Sequence, residues 1–241
     1  MYKDKKEAFT MKKVKSILLT VLVVFIIIFG IQVKNGYDKY IEALESQSLE
    51  TAISELQSIK NYTKYEDVPE IYYKALIAVE DRRFYKHNGF DIIGIFRAIY
   101  KDIKAMELVE GGSTITQQLA KNLYFPMEDT LDRKIAEIFM AMKIEQEYEK
   151  EEILEFYING IYYGSGYYCI YDASKGYFGK TPAEMNDYEC TLLVGIPNAP
   201  SVYSLKVNPD LAHKRQNKVI ECMLDLEYID RVEAEEILNN K

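Results

Sequence analysis

The chain has 241 residues, 48% of them hydrophobic and 28% charged, with a formal net charge of −8. That is enough for one sizeable core plus an appendage, and it excludes a disordered or fibrous protein. Residues 1–16 carry a net +4 and residues 17–33 no charge, which leaves −12 for residues 34–241. An acidic main body argues against general nucleic-acid binding and requires any anion site to be a local cationic cluster. Two histidines cannot build a histidine metal cluster, and Cys169, Cys190 and Cys222 form no Cys-x-x-Cys pair. Three buried thiols are expected, although an extracytoplasmic domain could oxidise a pair of them.

The first element is Ile17–Val33, 17 uncharged residues that span about 26 Å as a helix, at the short end for crossing a bilayer. Lys12, Lys13 and Lys15 stand immediately before it, which predicts a cytoplasmic tail at 1–16 and an extracytoplasmic chain after Lys34. No small-x-small cleavage pattern follows, so the segment reads as an uncleaved anchor. Residues 34–66 read as a juxtamembrane helix and connector, and the globular domain is placed at 67–241. Asp67-Val68-Pro69-Glu70 is a helix start, and Ile71, Ala75, Leu76 and Val79 recur at helical spacing up to Glu80-Asp81. Glu80 thus follows an apolar stripe and is expected to be partly desolvated; the plainer alternative pairs it with Arg82 or Arg83. A further helix opens near Ile92 (Ile93, Ile95, Phe96, Ile99) and drifts into a polar segment.

Gly111-Gly112 suits a hinge, and Thr114 with Gln117 fits a capping box at the start of the next helix. The N–H groups of such a start can face an anion, and Lys121, two turns on, shares the face of Thr114. After Pro126, Asp129-Thr130 caps a helix whose buried face is Ile135, Ile138, Phe139 and Met142. Glu137 falls roughly opposite Ile135, with Arg133 and Lys134 beside it on the exposed side. The stretch from Gly160 to Gly179 is rich in glycine and tyrosine, as a sugar groove or a structural turn would be. An amphipathic helical segment, roughly 211–239, closes the chain.

Five stretches, in order, carry a resemblance: Glu80-Asp81-Arg82-Arg83-Phe84-Tyr85-Lys86-His87-Asn88-Gly89; Gly111-Gly112-Ser113-Thr114-Ile115-Thr116-Gln117-Gln118-Leu119-Ala120-Lys121-Asn122; Arg133-Lys134-Ile135-Ala136-Glu137; Lys150 to Asn159; and Leu192 to Ser201. Together they resemble the signatures of the peptidoglycan glycosyltransferases, over about residues 60–230. These enzymes polymerise lipid II into glycan strands and also form one half of class A penicillin-binding proteins. The resemblance implies an all-α, lysozyme-like domain behind one N-terminal transmembrane helix. It implies an inverting transfer between lipid-linked disaccharide-peptides in cell wall biosynthesis, with undecaprenyl diphosphate leaving. Glu80 becomes the catalytic base and Glu137 the second acid, on the diphosphate side. Asp81, Phe84, His87, Gly89, Ser113, Thr114, Gln117, Gln118, Lys121, Arg133 and Lys134 become substrate-binding residues, and 90–110 a lid over the acceptor side.

A diphosphate leaving group needs positive charge, hydrogen-bond donors or a divalent metal. Lys121, Arg133 and Lys134 are the candidate cations, with Mg²⁺ or another divalent cation as an option, no metal ligand identified and no covalent cofactor. The implied partners are lipid II, the growing glycan strand, the bacterial membrane and other cell wall synthesis proteins, not nucleic acid. Two departures stand out: Asp129 and Ala136 occupy positions where many members carry a cation. They leave open a membrane-anchored lipid II-binding scaffold with weak or no turnover, and a lysozyme-like hydrolase remains a second rival. Ser-x-x-Lys and Lys-Thr-Gly are absent from the sequence, so the chain reads as monofunctional, without transpeptidase chemistry.

Overall fold

The structure is a computed structural model and describes residues 2–105, 111–125 and 130–240. The chain runs through α1 (Tyr2–Ser46), α2 (Leu49–Gln57), α3 (Glu70–Glu80), α4 (Ile92–Ala105), α5 (Ile115–Tyr124) and α6 (Leu131–Glu147). It continues through α7 (Lys150–Gly160), α8 (Ile170–Phe178), α9 (Asp187–Gly195), α10 (Pro200–Tyr203), α11 (Pro209–Asp225) and α12 (Arg231–Asn239). No strand occurs among the described residues, as an all-α lysozyme-like fold requires.

α1 is one unbroken helix of 45 residues, about 67 Å long. Its apolar stretch is exposed from Ile17 (62%) to Ile31 (53%), and among the described residues it is the one helix long and apolar enough to cross a membrane. The helix does not stop at Val33. It continues to Ser46, and its last turns lie along α6. Gly36 is buried at that crossing, where a Cβ would stand 2.5 Å from Ile135 Cβ. Tyr37 and Tyr40 close the contact with their rings 5.2 and 5.9 Å from that of Phe139.

The core begins earlier than residue 67. Ser48 caps α2 through Thr51 N, which turns the chain back and buries Leu49, Ala52 and Ile53. α3 lies at the centre, packed on α9 and α11, with Tyr72, Tyr73, Ala75, Leu76, Ile77 and Ala78 all buried. α6 departs from the expected pattern. Ile135, Ile138, Phe139 and Met142 are only half-buried, while Arg133, Ala136, Glu137, Met140, Ala141 and Ile144 are buried. The helix is covered by α1 and by α5, so the side expected to face solvent is closed.

The tyrosine-rich stretch is a turn: Gly164, Ser165 and Gly166 all have positive φ, and Tyr163 behind it is fully buried against Tyr72, their hydroxyls 2.8 Å apart. The closing segment is two helices rather than one. Glu227 takes φ 56° between them, and Asp230 starts α12 with a reciprocal cap.

Candidate active site

α3 ends between two acidic residues, and that ending separates their fates. Glu80 is the last helical residue; Asp81 leaves the helix at φ −152°. The Asp81 carboxylate turns inward, where it accepts from Ile115 N at 3.1 Å and from His87 Nε2 at 3.0 Å. The free N–H groups at the start of α5 are therefore met by a side chain of the protein itself. Thr114 and Gln117 form the expected capping box: Gln117 N donates to Thr114 Oγ1 (3.1 Å) and Thr114 N to Gln117 Oε1 (2.9 Å). Thr114 Oγ1 also donates to the Gly89 carbonyl at 2.7 Å, which stitches the first two stretches together.

The Glu80 side chain is 10% exposed. Gln118 Nε2 donates to its Oε2 at 2.8 Å, and Arg215 Nη2 lies 3.4 Å from its Oε1. The neighbouring arginines look elsewhere: Arg82 pairs with Asp225 at 3.8 Å and Arg83 with Asp91 at 3.0 Å. On α6, capped by Thr130, Glu137 is 1% exposed. Arg133 Nε stands 3.2 Å from its Oε1, and Lys134 Nζ donates to its Oε2 at 2.9 Å and to Ser113 Oγ at 2.6 Å. A buried carboxylate needs such partners, since an unpaired charge there would cost several kcal/mol, on the order of 3–5.

These groups meet in one cavity of about 580 Å³, lined by Glu80, Ser113, Gln117, Gln118, Lys121, Arg133, Lys134 and Glu137. Its wall is completed by α11 and the turn after α9, which supply Arg215, Lys218 and Cys222 and Pro197 and Asn198. Sequence reasoning assigned none of these a role. Arg215 is 135 positions from Glu80, and no local pattern links them. No tyrosine of the 160–179 stretch lines this cavity among the described residues; Tyr168 of that stretch is exposed and borders a separate cavity beside α2.

Five expected binding residues stand behind the cavity rather than on it. Phe84 is fully buried, Gly89 packs on the backbone of Ala141, and Thr114, Asp81 and His87 are spent on internal bonds. His87, with a 5% exposed side chain, also lies 4.0 Å from Glu145, which accepts from Thr116 Oγ1 (2.6 Å) and pairs with Lys150 (2.5 Å). This network pins the loop that follows Glu80. Ala136 is fully buried in the core, while Asp129 and part of the 90–110 lid lie outside the described residues.

No three His, Cys, Asp or Glu among the described residues are grouped to hold a divalent cation, and Glu137 is already engaged by two cations. All three cysteines are free thiols; Cys169 and Cys190 are buried and Cys222 is half-buried.

The sequence profile of the transglycosylase family matches residues 47–224, which takes in all five stretches. A monofunctional glycosyltransferase of Staphylococcus haemolyticus (strain JCSC1435) is 37% identical over 238 residues, covering 95% of this chain and 85% of that protein. Penicillin-binding protein 1A of Aquifex aeolicus (strain VF5) is 43% identical over 178 residues, 74% of this chain and 24% of that one. Penicillin-binding protein 2D of Bacillus subtilis (strain 168) is 46% identical over 165 residues, 68% of this chain and again 24% of its own length. The chain thus spans about a quarter of the penicillin-binding proteins and most of the monofunctional enzyme. With four of its five stretches lining one cavity and a profile match over most of its length, the chain belongs to the transglycosylase family, the peptidoglycan glycosyltransferases.

Proposed function

We propose that this glycosyltransferase joins lipid II units into β-1,4-linked glycan strands with Glu80 as its general base. Glu80 takes the proton of the acceptor's GlcNAc 4-hydroxyl as that oxygen attacks C1 of the donor's MurNAc with inversion. The C1–O bond to undecaprenyl diphosphate breaks, and the diphosphate carries away the electron pair. The observation that supports this reading is a base and a cationic set in one cavity: Glu80 with Lys121, Arg133 and Lys134. A carboxylate would repel a diphosphate, so the part of Glu137 is indirect. Buried and paired with both Arg133 and Lys134, it holds two cations in place before the negative charge develops. The compensating charge comes from the chain's own side chains.

The lipid tail of the substrate stays in the bilayer, and α1 would confine the cavity to the same surface. Lys12, Lys13 and Lys15 then lie on the cytoplasmic side and the catalytic domain outside.

The test is polymerisation of fluorescent lipid II by full-length protein, with Glu80→Gln in parallel. Polymer from the wild type and a drop of at least about a hundredfold in the variant is expected for loss of a general base. Equal polymer from both would remove Glu80 from the role. Bound lipid II without turnover would favour a scaffold, and released disaccharide-peptide would favour hydrolysis.

A further inference from the structure

Resting on the assignment of Glu80 as base, we infer that Tyr157 is a positioning residue for that base, acting through Gln118. Tyr157 belongs to α7 and is fully buried. Its hydroxyl donates to Gln118 Oε1 at 3.0 Å, and Gln118 Nε2 donates to Glu80 Oε2 at 2.8 Å.

The chemistry of the amide makes this chain of bonds directional. An ionised carboxylate only accepts, so Gln118 must present its NH₂ to Glu80 and its carbonyl oxygen to the other side. A side-chain amide has no such preference of its own, and a flip would set its oxygen against the carboxylate. What holds the correct way round is a donor at Oε1, and Tyr157 supplies it. Burial pushes the Tyr157 phenol well above its ordinary value, and the Glu80 charge adds to that, so the phenol stays a donor throughout the neutral range. Arg215 Nη2, 3.4 Å from Oε1, borders the other oxygen. Glu80 is therefore restrained on both oxygens, and the orientation of one bond originates in a side chain that does not line the cavity. Small misplacements of a reacting group carry large rate penalties, about a hundredfold for 1 Å.

Tyr157→Phe removes one oxygen and keeps the ring. Its expected effect is a fall in kcat of about tenfold with the lipid II KM unchanged, since the loss falls on the base and not on the diphosphate cations. Acting through Gln118 also requires coupling: in a Gln118→Met background, Tyr157→Phe should cost nothing further. A wild-type kcat for folded Tyr157→Phe, a loss seen only in KM, or additive losses in the double variant would overturn the inference. If Tyr157→Phe does not fold, Gln118→Met alone must show the loss in kcat, and a wild-type kcat there overturns it equally. Glu80→Gln, run alongside, separates the two failures. An active Glu80→Gln defeats the base assignment, whereas an inactive one beside an unaffected Tyr157→Phe defeats only the relay.

Discussion

Gly89 adopts φ 92°, and a Cβ there would lie 2.7 Å from the backbone of Ala141 and Met142. Both the left-handed backbone and the contact with a helix that cannot yield require glycine. Gly89→Ala should therefore destabilise the protein by about 2–4 kcal/mol, as strain and overpacking together imply. Urea unfolding of the variant reads this directly, and a loss below about 1 kcal/mol would mean that α6 can give way after all. Its neighbours in the first stretch follow the same logic. Phe84, His87 and Asp81 hold the loop after Glu80 in place, while Glu80 and Arg82 reach the cavity.

At the scale of elements, the crossing of α1 and α6 joins the anchor to the helix that carries Arg133, Lys134 and Glu137. Gly36 sets how closely they approach, since any side chain there overlaps Ile135. Gly36→Leu should push α1 off α6, cost about 1–3 kcal/mol as overpacking does, and lower activity through displaced cations. Thermal unfolding of the full-length protein in detergent is the measurement, and an unchanged Tm would show that the crossing contributes no stability. A second tie runs from His87 through Glu145 to Lys150 and joins α6 and α7 to the loop behind Glu80. With α1 along one side and α5 along the other, α6 buries Arg133, Ala136 and Glu137 although its sequence advertises a different apolar stripe.

For the whole molecule, the phenols inside the core determine how it meets high pH. Burial pushes Tyr72, Tyr157 and Tyr163, and the Cys190 thiol, above their ordinary values. Each folded value exceeds the unfolded one, so the folded state binds more protons wherever the unfolded chain has begun to lose them. Their contribution to stability is complete below the unfolded values, about 8.5 for the thiol and 10 for the phenols, and is lost as pH rises beyond them. Tm should hold from pH 7 to about 8.5 and then fall progressively toward pH 11. A flat profile across that range would contradict the sealed burial of these groups.

Local relations in the sequence determined local structure. The start of α3 at Pro69-Glu70, the Thr114–Gln117 box, the Thr130 cap, the stop of α9 at Gly195 and the apolar run of α1 depend on residues within a few positions of one another. The ordered stretches likewise made the family legible before any fold was in view. Only the tertiary structure decided which motif residues face the cavity, that Glu137 is buried instead of exposed, and that the last helical segment breaks at Glu227. It also decided the partners of Glu80, which lie 38 positions away in Gln118 and 135 in Arg215. Side-chain pairing over such separations is set by how helices pack, and packing depends on surfaces that α3, α5, α7 and α11 make together rather than on the pattern within any one of them.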